Sequence, residues 1–197
     1  ELDAIVCSGP RRGKQFTYAL LEERVPPARV WGRDEALTEL TRRYFTSHGP
    51  AMVADFAWWS GLTQADAKAG IEMSKPQLVS EVIGDKTYWY PASSPTVQNN
   101  AVLAHLLPIY DEYTIAFKDH SDILDLIYTE QVMSNPLFTS YFAVEGQLIG
   151  MWRRTFTKGT VVIESAPLRP YTAAENDAFA AAAQRFGAFM GMPVVLA

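Results

Sequence analysis

The feature that most constrains this chain is a pattern between residues 34 and 90, where three helix signals are followed by a hairpin signal. Asp34 stands where an N-cap belongs, and Leu37, Leu40 and Tyr44 share one face of a helix to about His48, stopped by Gly49 and Pro50. Met52 to Ser60 reads as a short second helix whose Phe56, Trp58 and Trp59 are expected in the core, with Gly61 ending it. Thr63 and Asp66 have capping-box spacing and open a third helix to about Ser74. On it Ala67 and Ile71 turn inward, while Gln64, Lys68, Glu72 and Lys75 form an outward stripe. Two strands, Leu78 to Ile83 and Lys86 to Tyr90, are joined by the two-residue turn Gly84-Asp85. This order is that of a winged helix, whose third helix would be the recognition helix.

Before it lies a hairpin, with apolar arms Leu2 to Cys7 and Gln15 to Leu21 and a turn from Ser8 to Lys14. Pro26 and Pro27 close that unit. After it, Pro91 to Asn100 has linker composition. Beyond the linker, Leu103 to Leu107 reads as a strand ending at Pro108, and Tyr113 to Phe117 as another. Ser121 is expected to cap a helix through about Met133. A meander of Phe138 to Val144, Gln147 to Phe156 and Thr160 to Ser165 follows, turning at Glu145-Gly146 and Lys158-Gly159. Thr172 and Glu175 box the start of a last, alanine-rich helix that Gly191 closes. The expected fold is α+β: a winged helix (three helices plus a β-hairpin), then an antiparallel β-barrel-like module with a C-terminal helix. The expected parts are residues 1–29 as a wing hairpin left from a preceding winged helix, 30–90 as the winged helix, 91–102 as linker, and 103–197 as the β-rich module.

Composition narrows the function classes. The 197 residues hold a single cysteine and three scattered histidines, so neither a disulfide, a metal centre nor a cofactor motif is expected. Cys7, inside an apolar strand, is expected to be buried rather than reactive. No apolar run is long enough to cross a bilayer, and no membrane partner is expected; a cytoplasmic location is. The chain opens on Glu1, which reads as a piece of a longer protein. Net charge is −5, and residues 91–150 alone hold one basic and seven acidic residues. Such a chain can meet a polyanion only through local basic patches, with residues 91–150 facing away.

The densest basic patch is the first hairpin's tip, where Arg11, Arg12 and Lys14 lie between Gly9, Pro10, Gly13 and Gln15. It is not a phosphate-binding loop: three residues rather than four separate its glycines, and no hydroxyl follows the lysine. It reads either as a wing tip touching a DNA backbone or as a solvated turn. The third-helix stripe is weaker, since Lys68 and Lys75 are offset by Asp66 and Glu72. That face suits a structural or protein-binding role better than base readout. Arg153 and Arg154 lie mid-strand beside Trp152, with Arg154 on the face of Trp152 and Phe156. Each can reach a phosphate, stack on a ring, or pair with the acidic segment. Asp111, Glu112, Asp119 and His120 are the residues an acid–base enzyme would use, but nothing positions a nucleophile or substrate near them.

Three segments, RRYFTSHGPAMVADFAWWSGL, HLLPIYDEYTIAFKD and YFAVEGQLIGMWRR, resemble the AlkZ/YcaQ-like bacterial winged-helix proteins, and their order along the chain carries the match. The resemblance implies tandem winged helices around a barrel-like module with a concave surface for double-stranded DNA. It also implies DNA glycosylase activity, a hydrolase function in DNA repair that excises bulky alkylated bases and unhooks crosslinks. The family's glutamine–apolar–acid catalytic motif belongs upstream of Glu1. Gln64-Ala65-Asp66 copies its spelling but opens the third helix, so no catalytic residue is carried onto this chain. The DNA-binding residues expected are Arg11, Arg12, Lys14, Gln64, Lys68, Lys75, Arg153 and Arg154. The alternative is a non-catalytic module that docks protein or acts in regulation.

Overall fold

A computed structural model describes residues 5–26, 29–93, 103–133 and 139–197. The chain divides into two compact units, Glu1–Leu37 and Thr38–Ala197. In the first, β1 (Val6–Ser8) and β2 (Tyr18–Leu20) pair antiparallel, and β2 runs into one helical turn, α1 (Leu21–Arg24). The second arm is shorter than expected because Gln15 to Thr17 belong to the tip, and residues 2–4 of the first lie outside those described. Cys7 is half-buried rather than enclosed.

Helix α2 (Arg33–His48) begins in the first unit and carries into the second, followed by α3 (Val53–Ser60) and α4 (Gln64–Ser74). The local signals act as written. Thr63 accepts the Asp66 amide at the start of α4, and Gly61 ends α3 at a φ of 72°. A single turn of 3₁₀ helix (Lys75–Gln77) leads into β3 (Leu78–Ile83), which pairs with β4 (Lys86–Pro91) in full register. Tyr44, Phe45, Phe56, Ala67, Ile71 and Leu78 form the core here. Of the three aromatics expected in that core, only Phe56 is in it. Trp58 and Trp59 are exposed because each indole N–H turns outward to an acceptor on the following segment. The linker expected at 91–102 begins inside β4, and its residues 94–102 lie outside those described.

The last part is an open sheet rather than a barrel. Its order is β5 (Ala104–Leu107), β6 (Tyr141–Val144), β7 (Gln147–Thr157), β8 (Thr160–Pro167) and β9 (Val194–Leu196). The first four are antiparallel, and β9 joins β8 in parallel, so β5 and β9 do not meet and the sheet does not close. Between β8 and β9 runs α7 (Ala173–Met190), capped by the Thr172–Glu175 box and ended by Gly191 at a φ of 65°. Phe179 and Ala183 of α7 pack on Phe142, Trp152, Val161 and Ile163 of the sheet.

Two expected elements take other forms. Tyr113 to Phe117 is not a strand: Asp111 accepts the Tyr113 amide and starts a one-turn helix, α5 (Glu112–Ile115). The helix expected from Ser121 is broken. Asp125 is extended and caps a 3₁₀ turn (Leu126–Tyr128), so only α6 (Thr129–Met133) is α-helical. Phe138, expected to begin a strand, lies outside the described residues.

Candidate functional site

The hairpin tip is a fixed scaffold for its cations. The Gly9 amide donates to the Thr17 carbonyl at 2.7 Å, and the Thr17 hydroxyl to the Pro10 carbonyl at 2.6 Å. Arg12 and Gln15 exchange two backbone hydrogen bonds, at 3.2 and 3.1 Å, around Gly13, whose φ of 61° suits glycine. The Arg11, Arg12 and Lys14 side chains are exposed and form no ion pair among the described residues. The Arg11 guanidinium lies over the Phe16 ring, 4.6 Å from its centroid.

The other expected residues are more committed. Gln64 and Lys68 are exposed on α4 and Lys75 just past its end, but Lys75 pairs with Glu72 at 2.7 Å. In Gln64-Ala65-Asp66, the Asp66 carboxylate accepts from the Thr63 hydroxyl at 2.8 Å as part of the helix start. Arg153 forms a two-pronged pair with Glu164, both bonds 2.8 Å, directly across β7 and β8. Its partner is thus on the neighbouring strand, not in the acidic segment. That guanidinium holds Glu164 below the usual carboxylate range. Arg154 lies 5.7 to 5.9 Å from the ring centroids of Trp152, Phe156 and Phe186. It forms no ion pair among the described residues.

The acidic segment after β5 holds the helical part. Asp55, 2% exposed, accepts three amides: Met52 at 2.9 Å, Lys118 at 2.9 Å and Asp119 at 3.3 Å. The Tyr44 hydroxyl donates to the Ala116 carbonyl, the Trp58 indole to the Ile115 carbonyl and the Trp59 indole to the Glu112 carboxylate. Lys86 meets Asp119 at 2.8 Å and Asp122 at 3.3 Å. The Lys86 hydrogen bond, then the Ser121 amide, lower the Asp119 pKa to about 2. None of these long-range partners shows in local sequence, although a buried aspartate at the start of α3 is where a cap belongs.

A cleft of about 440 Å³ opens beside these contacts, lined by His48, Tyr88, Glu112, Phe117, Asp119 and Asp122 among others. In it Ser47 Oγ lies 2.8 Å from His48 Nδ1, and His48 Nε2 lies 3.0 Å from Glu112 Oε1. The order serine–histidine–carboxylate invites a hydrolytic reading. The geometry opposes it, because the Ser47 hydroxyl also reaches the Arg43 carbonyl at 2.9 Å, within its own helix. The Glu112 carboxylate also accepts the Trp59 indole. This is a docking network. Among the described residues no cluster of metal-ligating side chains occurs, and no helix is long and apolar enough to cross a membrane.

A family model described as "DNA glycosylase AlkZ-like" matches residues 2–189. Among solved structures, the DNA glycosylase AlkZ of Streptomyces sahachiroi is similar, with a TM-score of 0.76 at 17% identity. The similarity covers 98% of this chain and 55% of that one, so this chain spans about half that protein's length and shares its fold. No curated protein matches.

Proposed function

The chain belongs to the AlkZ-like DNA glycosylase family, and from that premise we propose that it forms a DNA-binding part of a DNA-repair glycosylase. In this reading α2, α3, α4 and the β3–β4 hairpin are a winged helix, and residues 1–29 are the wing hairpin of another. The parts keep the divisions 30–90, 91–102 and 103–197. The observation that carries the reading is the hairpin tip. Three cations project from a hydrogen-bonded turn, and residues 5–20 contain no Asp or Glu. Duplex DNA presents a dense row of phosphates, and among the described residues such a tip has no internal ion pair to break before meeting it. Arg154 is a secondary contact; Gln64, Lys68, Lys75 and Arg153 contribute less. Residues 91–150 face away from the duplex. We assign no catalytic residue to this chain.

The test is the salt dependence of duplex binding. For every phosphate that is no longer neutralised, the slope of log affinity against log salt flattens by about 0.9. Replacing Arg11, Arg12 and Lys14 together by alanine is expected to lower the slope magnitude by roughly two to three. Lys68→Ala with Lys75→Ala is expected to change it by less than that. An unchanged slope and affinity for the tip variant would make the tip a solvated turn and favour a protein-docking role.

A further inference from the structure

Phe16 is 76% exposed at the tip, and Tyr18, two residues on, is 72% exposed. Large rings left this open are unusual on a surface turn rich in charge, and the charged residues between 5 and 20 are Arg11, Arg12 and Lys14. Arg11 covers part of the Phe16 ring at 4.6 Å and leaves most of its surface in solvent. The backbone that carries the ring is held, since Thr17 next to it is tied twice to the opposite arm, at 2.6 and 2.7 Å.

We propose that Phe16, backed by Arg11, is a stacking platform for a nucleobase that has left its base stack. The inference rests on the DNA-binding reading and adds to it what the tip touches. Cations alone would grip phosphate and be blind to the state of the bases. An aromatic face among cations is the combination that takes hold of an unstacked nucleotide, because every base has a π-face and every nucleotide a phosphate. The charge identifies the occupant: an apolar protein surface gives Arg11, Arg12 and Lys14 nothing to pair with, whereas a polynucleotide satisfies both halves of the tip. Tyr18 offers a second exposed ring two residues on.

The experiment compares an intact duplex with one carrying a single bulged 2-aminopurine, whose fluorescence is quenched on stacking. The protein is expected to bind the bulged duplex more tightly and to quench the probe. Phe16→Ala should weaken bulge binding by about 5- to 150-fold, the range that stacking one base on an aromatic side chain supplies. It should abolish the quenching and leave the salt slope unchanged, while Phe16→Trp retains both. If Phe16→Ala binds both duplexes as before while the triple cation variant loses its slope, DNA binding stands and stacking is refuted. Equal weakening on both duplexes also refutes it, as does a fall in melting temperature without a change in affinity, which would mean that the ring is covered by the protein itself. If the triple variant keeps its slope and affinity, the DNA-binding reading of the tip fails first.

Discussion

The cations of the hairpin tip and many of those of the Thr38–Ala197 unit differ in their company. At the tip no carboxylate lies within reach in the sequence between residues 5 and 20. In the larger unit Arg42 and Arg43 share Glu39, Lys86 holds Asp119 and Asp122, Arg153 holds Glu164 and Arg169 holds Glu175. A positive side chain already satisfied by a neighbour adds little to the attraction of a distant polyanion, since the pair's field falls off faster than a lone charge's. Counting basic residues therefore misjudges which part of this chain can meet DNA. The tip and the acidic docking segment are opposite uses of charge: one is left open, the other is consumed in holding the fold.

The sharpest way to break the comparison is through Asp55. Asp55→Ala strands three part-buried amide donors, each costing about 1–3 kcal/mol where water does not replace the carboxylate. A loss of roughly 3 kcal/mol or more, and a melting temperature lower by roughly 10 °C, is expected in a circular dichroism melt. The salt slope of DNA binding below the melt should not move. A variant as stable as the parent would show that the acidic segment does not hold the helices.

Lys86→Met is the milder probe of the same segment. It should cost about 1 kcal/mol near neutral pH, as a partly exposed pair does. The pH dependence has a definite sign. Asp119 titrates near 2 when folded, below its ordinary value, so its contribution is present above about pH 4 and fades as pH falls toward 2. The parent and Lys86→Met should thus differ most at neutral pH and converge near pH 2. A constant gap across that window would assign the Lys86 effect to packing instead.

The smallest expected effect sharpens the comparison from the other side. Glu164→Gln removes the partner of Arg153 and leaves that cation as open as those of the tip. If company is what separates the two regions, the salt slope should steepen by up to about 0.9, the equivalent of one more phosphate neutralised. No change would place β7 away from the DNA.

Much of the fold was legible because its signals are local. The Thr63 and Thr172 caps, the Gly61 and Gly191 stops and the Gly84-Asp85 and Glu145-Gly146 turns each act within a few residues of chain. What escaped depends on distant partners. Trp58 and Trp59 have core spacing, yet they face outward because acceptors at 112–115 await them. The segment 113–133 lacks long elements because Asp111 and Asp125 each restart the chain with a cap. For the site, the tip cations are legible as composition, and strand alternation sets Arg154 beside Trp152 and Phe156, where its guanidinium lies. Whether Arg153 was open or paired depended on Glu164, a strand-register fact that no local window contains.

The parallel strand β9 has a consequence for synthesis of the chain. It reaches β8 only after α7 has folded back across the sheet, and Gly187 must lack a side chain there, since a Cβ would run into Val194. Until residues 194–196 have been made, β8 is the outermost strand, with its outer backbone edge unpaired. An emerging polypeptide with an open, valine-rich edge can pair with another of its kind. Three residues made after α7 thus cover that edge, and delaying them would favour association between nascent chains.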